Sequence, residues 1–265
     1  MMHSTIACLA GTLSIVAALA NSNPDANYRQ GPDHFVASTS NTNDYGKMDY
    51  QHPRQLVTGV TKSKDGSLLA EVLAVTYPGD TGFVKKYHLD GGGGILNFYV
   101  GYPPLRQGDV IPAFGRLYRV SVVVPRRFDK YHMLLCDWVG EMPAINNVKL
   151  SDDSFQVPLG SRLASCFANV SMHQVRVDKI VFSDTAKSLV ADIRVNLATG
   201  ERGSVRVKVG SLLLLAQKAH EVLAIVPRDE KTGVIGWVEF AAEPLDADAI
   251  KAKGWADRVV RPVTP

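Results

Sequence analysis

The hexapeptide SLLAEV at 67–72 returns almost unchanged as SLVADI at 188–193. A repeated segment constrains the fold more than any composition does, because each copy must bury the same residues in the same way. At an offset of 121, Ser67, Leu68 and Ala70 meet Ser188, Leu189 and Ala191. Gly82, Val84 and Lys85 meet Gly203, Val205 and Arg206 at the same spacing. Further on the offset becomes 102: Gly108 meets Gly210, Val120 meets Val222, and Val124-Pro125-Arg126 meets Val226-Pro227-Arg228. A last shift of three sets Trp138-Val139 against Trp237-Val238. The common order of these matches predicts a tandem duplication.

Both copies are written in strand grammar. Ala191, Ile193, Val195 and Leu197 alternate with Asp192, Arg194 and Asn196, so one face is apolar and the other polar. Val205, Val207 and Val209 repeat the pattern, and 199–203 reads as the hairpin turn between them. The segment 211–226 is ambiguous alone, since it also fits an amphipathic helix. Its counterpart 109–124 holds Pro112 and Gly115, which oppose a helix interior. Both are therefore read as strands. The expected fold is all-β: two tandem, internally duplicated small β-barrels or β-sandwiches, with a short C-terminal helix capped by Asp246 and docked through Ile250 and Trp255.

Around these copies the chain divides further. Residues 6–20 are apolar or small and end in Ala18-Leu19-Ala20, the pattern of a cleaved export signal, although Met1, Met2 and His3 supply no Lys or Arg. Residues 1–20 are read as the signal peptide and 21–54 as a flexible polar leader. The first β domain then covers 55–145, a linker with at most one strand 146–170, the second β domain 171–244, and the helix and tail 245–265. After cleavage no apolar stretch is long enough to span a bilayer as a helix. A net charge of +3 over 265 residues, with no Lys/Arg cluster, argues against a nucleic-acid partner. In an oxidising compartment the remaining pair, Cys136 and Cys166, is a candidate disulfide; two separate buried thiols are the alternative.

The change of offset from 121 to 102 puts extra chain into the first copy, placed by the sequence at about 90–107, DGGGGILNFYVGYPPLRQ. Long loops on rigid β scaffolds concentrate binding residues. Gly91, Gly92, Gly93 and Gly94 permit close backbone approach, and Phe98, Tyr99 and Tyr102 supply contact area. These seven are the candidate binding residues; the alternative is a longer hairpin whose aromatics pack on their own domain. His88 beside Asp90, His132 near Cys136, and Ser161 and Ser165 are the residue types that could carry catalysis. None sits in a nucleophile or metal-binding spacing. No catalytic residue, metal or cofactor is assigned. The expected function is an exported, periplasmic or secreted, non-catalytic binding protein whose partner is a protein or glycan of the cell envelope or beyond. An inhibitor or immunity-type protein and a β-scaffold hydrolase or glycan-processing enzyme are the alternatives.

Overall fold

A computed structural model describes residues 34–38, 54–76, 98–113, 116–127, 131–142, 154–160, 164–166, 173–197, 199–215, 217–241 and 243–263. About two-thirds of these residues are strand. In the N-terminal half come β1 (His34–Ser38), β2 (Arg54–Lys62), β3 (Leu68–Thr76), β4 (Phe98–Gly101), β5 (Val110–Ala113), β6 (Arg116–Arg127) and β7 (Tyr131–Glu141). The C-terminal half has β8 (Ser154–Pro158), β9 (Ala164–Cys166), β10 (His173–Ser183), β11 (Ser188–Asn196), β12 (Arg202–Lys208), β13 (Leu212–Leu215), β14 (Lys218–Val226) and β15 (Trp237–Ala241). Helix α1 (Ala247–Ala252), a 3-10 turn and β16 (Val259–Val260) follow. The all-β expectation holds. One sheet runs β12-β11-β10-β9-β4-β3-β2-β1-β7-β6-β5, crossing from half to half through β9; a second runs β16-β13-β14-β15-β8.

Each half has its own core. Val57, Ala70, Val72, Leu105, Ile111, Tyr118, Val120, Leu134 and Cys136 pack together in the first. Val157, Val175, Val177, Ile193, Val207, Leu213, Val222, Val238 and Phe240 do so in the second. Alternation delivers them: in β11 Val190, Ala191, Ile193 and Val195 are buried while Arg194 is exposed. The segment 211–226 is two strands, β13 and β14, paired Leu213↔His220.

The local geometry of the halves agrees in detail. Hairpin β2–β3 carries a bulge between Val57 and Gly59, and hairpin β10–β11 one between Val177 and Lys179. β5 pairs β6 with Val110 opposite Arg119; β13 pairs β14 with Leu212 opposite Glu221. The turn before β5 has Gly108 at φ 96°, its N–H donating to Val120 O at 2.8 Å. The turn before β13 has Gly210 at φ 84°, its N–H donating to Val222 O at 2.8 Å. Asp109 Oδ2 accepts from Arg106 N at 2.8 Å, and Ser211 Oγ accepts from Lys208 N at 3.0 Å. Bulges follow at Val120/Val122 and at Val222/Ala224. β1 lies antiparallel to β7 with Phe35 opposite Cys136; β8 lies antiparallel to β15 with Phe155 opposite Phe240.

Four sequence expectations need correction. The leader expected over 21–54 contains β1, which pairs with both β7 and β2; residues 21–33 and 39–53 lie outside the described residues, as does the expected signal 1–20. The linker expected over 146–170, with at most one strand in it, holds two, β8 and β9, and Val157 of β8 is fully buried. Trp237 does not correspond to Trp138: Val226 faces Trp237, whereas Val124 faces Met133. The connection from β14 to β15 is longer than that from β6 to β7, and this displaces the match. The extra chain of the first half is also misplaced. Thr76 pairs with Phe98 at the open end of β3–β4, so the added segment is 77–97, where the second half has only 197–201.

The longer β14–β15 connection joins the halves. Val110 N donates to Gly233 O at 2.8 Å, and Ile235 N donates to Val110 O at 3.2 Å. Ile235 is buried in the core of the first half. The same edge in the second half is covered by the tail: β16 runs parallel to β13, with Leu212 opposite Val259 and Leu213 opposite Val260. Helix α1 begins at Asp246, whose side chain accepts from Ala249 N at 2.8 Å. It buries Ile250 against Leu212 and Ala219, with Trp255 packed beside them.

Gly233 has φ 84°, and a Cβ there would collide with the Gly108 carbonyl. Gly200 has φ 87° with open space around it. Left-handed backbone alone costs a non-glycine residue about 1 kcal/mol. Gly233→Ala is therefore expected to lose about 3 kcal/mol or more, since the inter-half strand pair must also shift. Gly200→Ala is expected to lose only about 1 kcal/mol. Urea unfolding of the two variants checks the difference.

Candidate functional site

The sequence-selected binding residues do not form one loop. Gly91, Gly92, Gly93 and Gly94 lie outside the described residues. Phe98 and Tyr99 belong to β4, where Tyr99 pairs with Val75 on one side and Ser165 on the other. Tyr102 is a correction. It is 6% exposed, packs in the first core, and donates its hydroxyl to Pro112 O at 2.7 Å. Burial, with the charges of Cys136 and Glu239, holds its phenol well above the ordinary range. Leu105 closes the same core by exchanging hydrogen bonds with Ala70 at 2.7 and 2.9 Å. Residues 98–105 therefore complete a sheet. Residues 77–97, which connect Thr76 to its strand partner Phe98, lie outside the described residues.

The disulfide expectation is also corrected. Cys136 is a free, fully buried thiol on β7. Cys166 is on β9, and strands β4, β3, β2 and β1 stand between the two in the sheet. Burial first, then the charge of Asp137, pushes the Cys136 thiol far up, so it behaves as a small core hydrophobe. Of the residue types that could carry catalysis, His88, Asp90 and Ser161 lie outside the described residues, and Ser165 is in β9. His132 is half-buried on β7. Trp138, on the Cys136 side of β7, is 42% exposed with the Arg116 guanidinium 5.8 Å from its ring centre.

Two polar sites arise where the halves meet, and neither has a local motif. The first is a cleft of about 420 Å³. The turn 106–109 and Arg119 line it from one half, and 228–233 from the other. Arg119 Nη1 donates to Gly108 O at 3.1 Å and Thr232 O at 3.3 Å, bridging the halves. Asp229 folds its own turn by accepting from Lys231 N at 2.9 Å and Thr232 Oγ1 at 2.8 Å. Burial raises the pKa of Asp109, against its bond from Arg106 N and the charges of Arg106 and Arg228. In the sequence the repeated Pro-Arg that includes Arg228 reads as a strand end, a solvated turn with an anion-contacting edge as the alternative; that Arg119 lines the same cleft is not legible there, because it is far away in the chain.

The second site is Glu239, a fully buried carboxylate on β15. It accepts from Gln156 Nε2 at 2.7 Å, from Trp237 Nε1 at 3.1 Å, and from the Ser154 hydroxyl. Its charge reaches Tyr102 of the other half. Burial pushes its pKa up to about 7 against those three hydrogen bonds. Nearby His220, also buried, donates Nδ1–H to Ala241 O at 2.9 Å and meets Phe155 edge-on. Phe155 in turn stacks on Phe240.

Among the described residues no cluster of three His, Cys, Asp or Glu side chains could hold a metal, and no helix is long and apolar enough to cross a membrane. Comparison with family models, curated proteins and solved structures gives no match to this chain.

Glu239 generates a pH dependence. Its folded pKa of about 7 lies above the ordinary 4.5, so the folded state holds the proton more tightly. Stability is then highest below about 4.5, declines as pH rises to about 7, and is flat above. The decline amounts to about 3 kcal/mol at most. Asp192 and Asp229 have lowered pKa values, so their opposite effect falls at more acidic pH. Melting curves from pH 5 to pH 8 should fall for the wild type and stay nearly level for Glu239→Gln.

Proposed function

We propose that the chain is an exported, non-catalytic binding protein built from two copies of one small β unit, and that residues 77–97 of the first copy make the contact. The duplication is supported by the identical turns at Gly108 and Gly210, the shared β5–β6 and β13–β14 registers, and the bulges at the same places in both halves. Export rests on the apolar segment 6–20 and its Ala18-Leu19-Ala20 end. The partner is a protein or glycan of the cell envelope or the exterior.

One observation carries the binding reading. Thr76 and Phe98 pair directly, so segment 77–97 leaves and re-enters the scaffold at one strand end. The second copy closes the same end with 197–201, where Leu197 N donates to Glu201 O at 2.8 Å. A scaffold that folds around a short turn has no structural need for the longer segment, and long excursions from rigid strands concentrate binding residues. Gly91, Gly92, Gly93 and Gly94 belong to that segment, and Phe98 and Tyr99 stand at its foot.

Replacing 77–97 with the 197–201 turn tests this. The shortened protein should melt as the wild type does and lose the partners that the wild type captures from envelope extracts. Retention of every partner, or failure of the shortened protein to fold, would contradict the assignment.

A further inference from the structure

We propose that the cleft between the two halves binds a tetrahedral oxyanion, a phosphate or sulfate, between Arg119 and Arg228. The two equivalent turns carry different charges. In the second half the turn at Gly210 presents its carbonyl to Arg258, whose Nε donates to Gly210 O at 2.6 Å. The same guanidinium is paired with Glu221. One cation meets one carboxylate.

At the turn of the first half the position of Glu221 is taken by Arg119, which stands opposite Val110 as Glu221 stands opposite Leu212. Arg119 takes over the carbonyl contact at Gly108 O. The carboxylate is thereby replaced by a second cation, and Arg228 of the other half lines the same cleft. Among the described residues no carboxylate lies within ion-pair distance, 4.0 Å, of Arg119 or Arg228.

Three carboxylates line the cleft, Asp109, Asp229 and Glu230, and none forms an ion pair with either arginine; Glu230 is exposed. Asp229 spends both oxygens on its own turn. Asp109 is buried, accepts from Arg106 N, and sits 3.9 Å from the Arg106 guanidinium. Arg119 uses only Nη1 on carbonyls and keeps its other guanidinium donors, while Arg228 and Lys231 are exposed. Guanidinium groups match tetrahedral oxyanions through paired, charge-assisted hydrogen bonds. The volume of about 420 Å³ is within the usual size of a small-ligand pocket, so a monoester fits as well as the free ion.

The test is an NMR titration of the full chain at constant ionic strength in chloride. Inorganic phosphate, inorganic sulfate and a monosaccharide phosphate are added separately, and the Gly108 and Gly233 amides are followed. At least one anion should saturate at millimolar concentration. Saturation by the inorganic ions marks a free-ion site; saturation by the sugar phosphate alone marks an ester site. Arg228→Gln should weaken the binding about tenfold. It should leave the melting temperature in chloride unchanged, and Arg228→Lys should recover part of the affinity. Linear drift no larger than that caused by chloride for all three anions would overturn the proposal. So would an Arg228→Gln protein that titrates like the wild type.

Discussion

At Val110 the outer edge of one half's sheet is paired by backbone from the other half. β5 is the last strand of its sheet, and an uncovered edge leaves peptide groups unpaired beside an apolar core. The chain meets this by lending Gly233 to Ile235 from the other half. Two backbone hydrogen bonds close the edge, and the Ile235 side chain enters the neighbouring core. Fully burying such a side chain is worth roughly 2 kcal/mol, so the contact serves both peptide pairing and packing. The equivalent edge, β13, is met differently. There the tail does the work: β16 pairs along β13, Val263 exchanges hydrogen bonds with Ser204 at 2.9 and 3.1 Å, and Ile250 and Trp255 cover the apolar surface. The C-terminal segment thus occupies on the second half the place that the second half occupies on the first.

That joint also brings the polar groups together. Folding the 228–233 turn onto Gly108 brings Arg228 into the cleft that Arg119 lines and bridges. Seating β15 buries Glu239 and puts its charge in reach of Tyr102. A buried carboxylate costs free energy even when three donors satisfy it, because desolvation opposes the charge. Its raised pKa expresses that balance. The joint therefore carries a cationic cleft at its surface and a proton-sensitive carboxylate in its interior.

Much of the fold is legible in the sequence, and the reasons are local. Gly108 and Gly210 precede matching strands because each turn needs positive φ, which glycine supplies without strain. The period-two alternation in 191–197 and the Asp246 cap likewise act over a few residues. What could not be read depends on distant pairing. HFVAS, a short run in polar surroundings, becomes β1 only because β7 and β2 flank it. Phe98 to Leu105 looks like loop, with Pro103-Pro104 inside it. Yet it closes a core through Tyr102 and Leu105, with Pro103 and Pro104 half-buried in the break between β4 and the Leu105 bridge. The Trp138–Trp237 resemblance misleads, because pairing to β14 sets Trp237 in the place of Met133. The cleft is invisible for a related reason. Arg119 and Arg228 come from different halves, and only the joint makes them neighbours.

Native-state hydrogen exchange reads the strength of the joint residue by residue. If the edge pairing is integral to the fold, the amides of Val110 and Ile235 should exchange with the same opening free energy as those of Val120 and Leu134 inside the first core. Exchange at Val110 and Ile235 through an opening several kcal/mol cheaper than that of the core amides would mean that the halves merely touch, and would contradict the account.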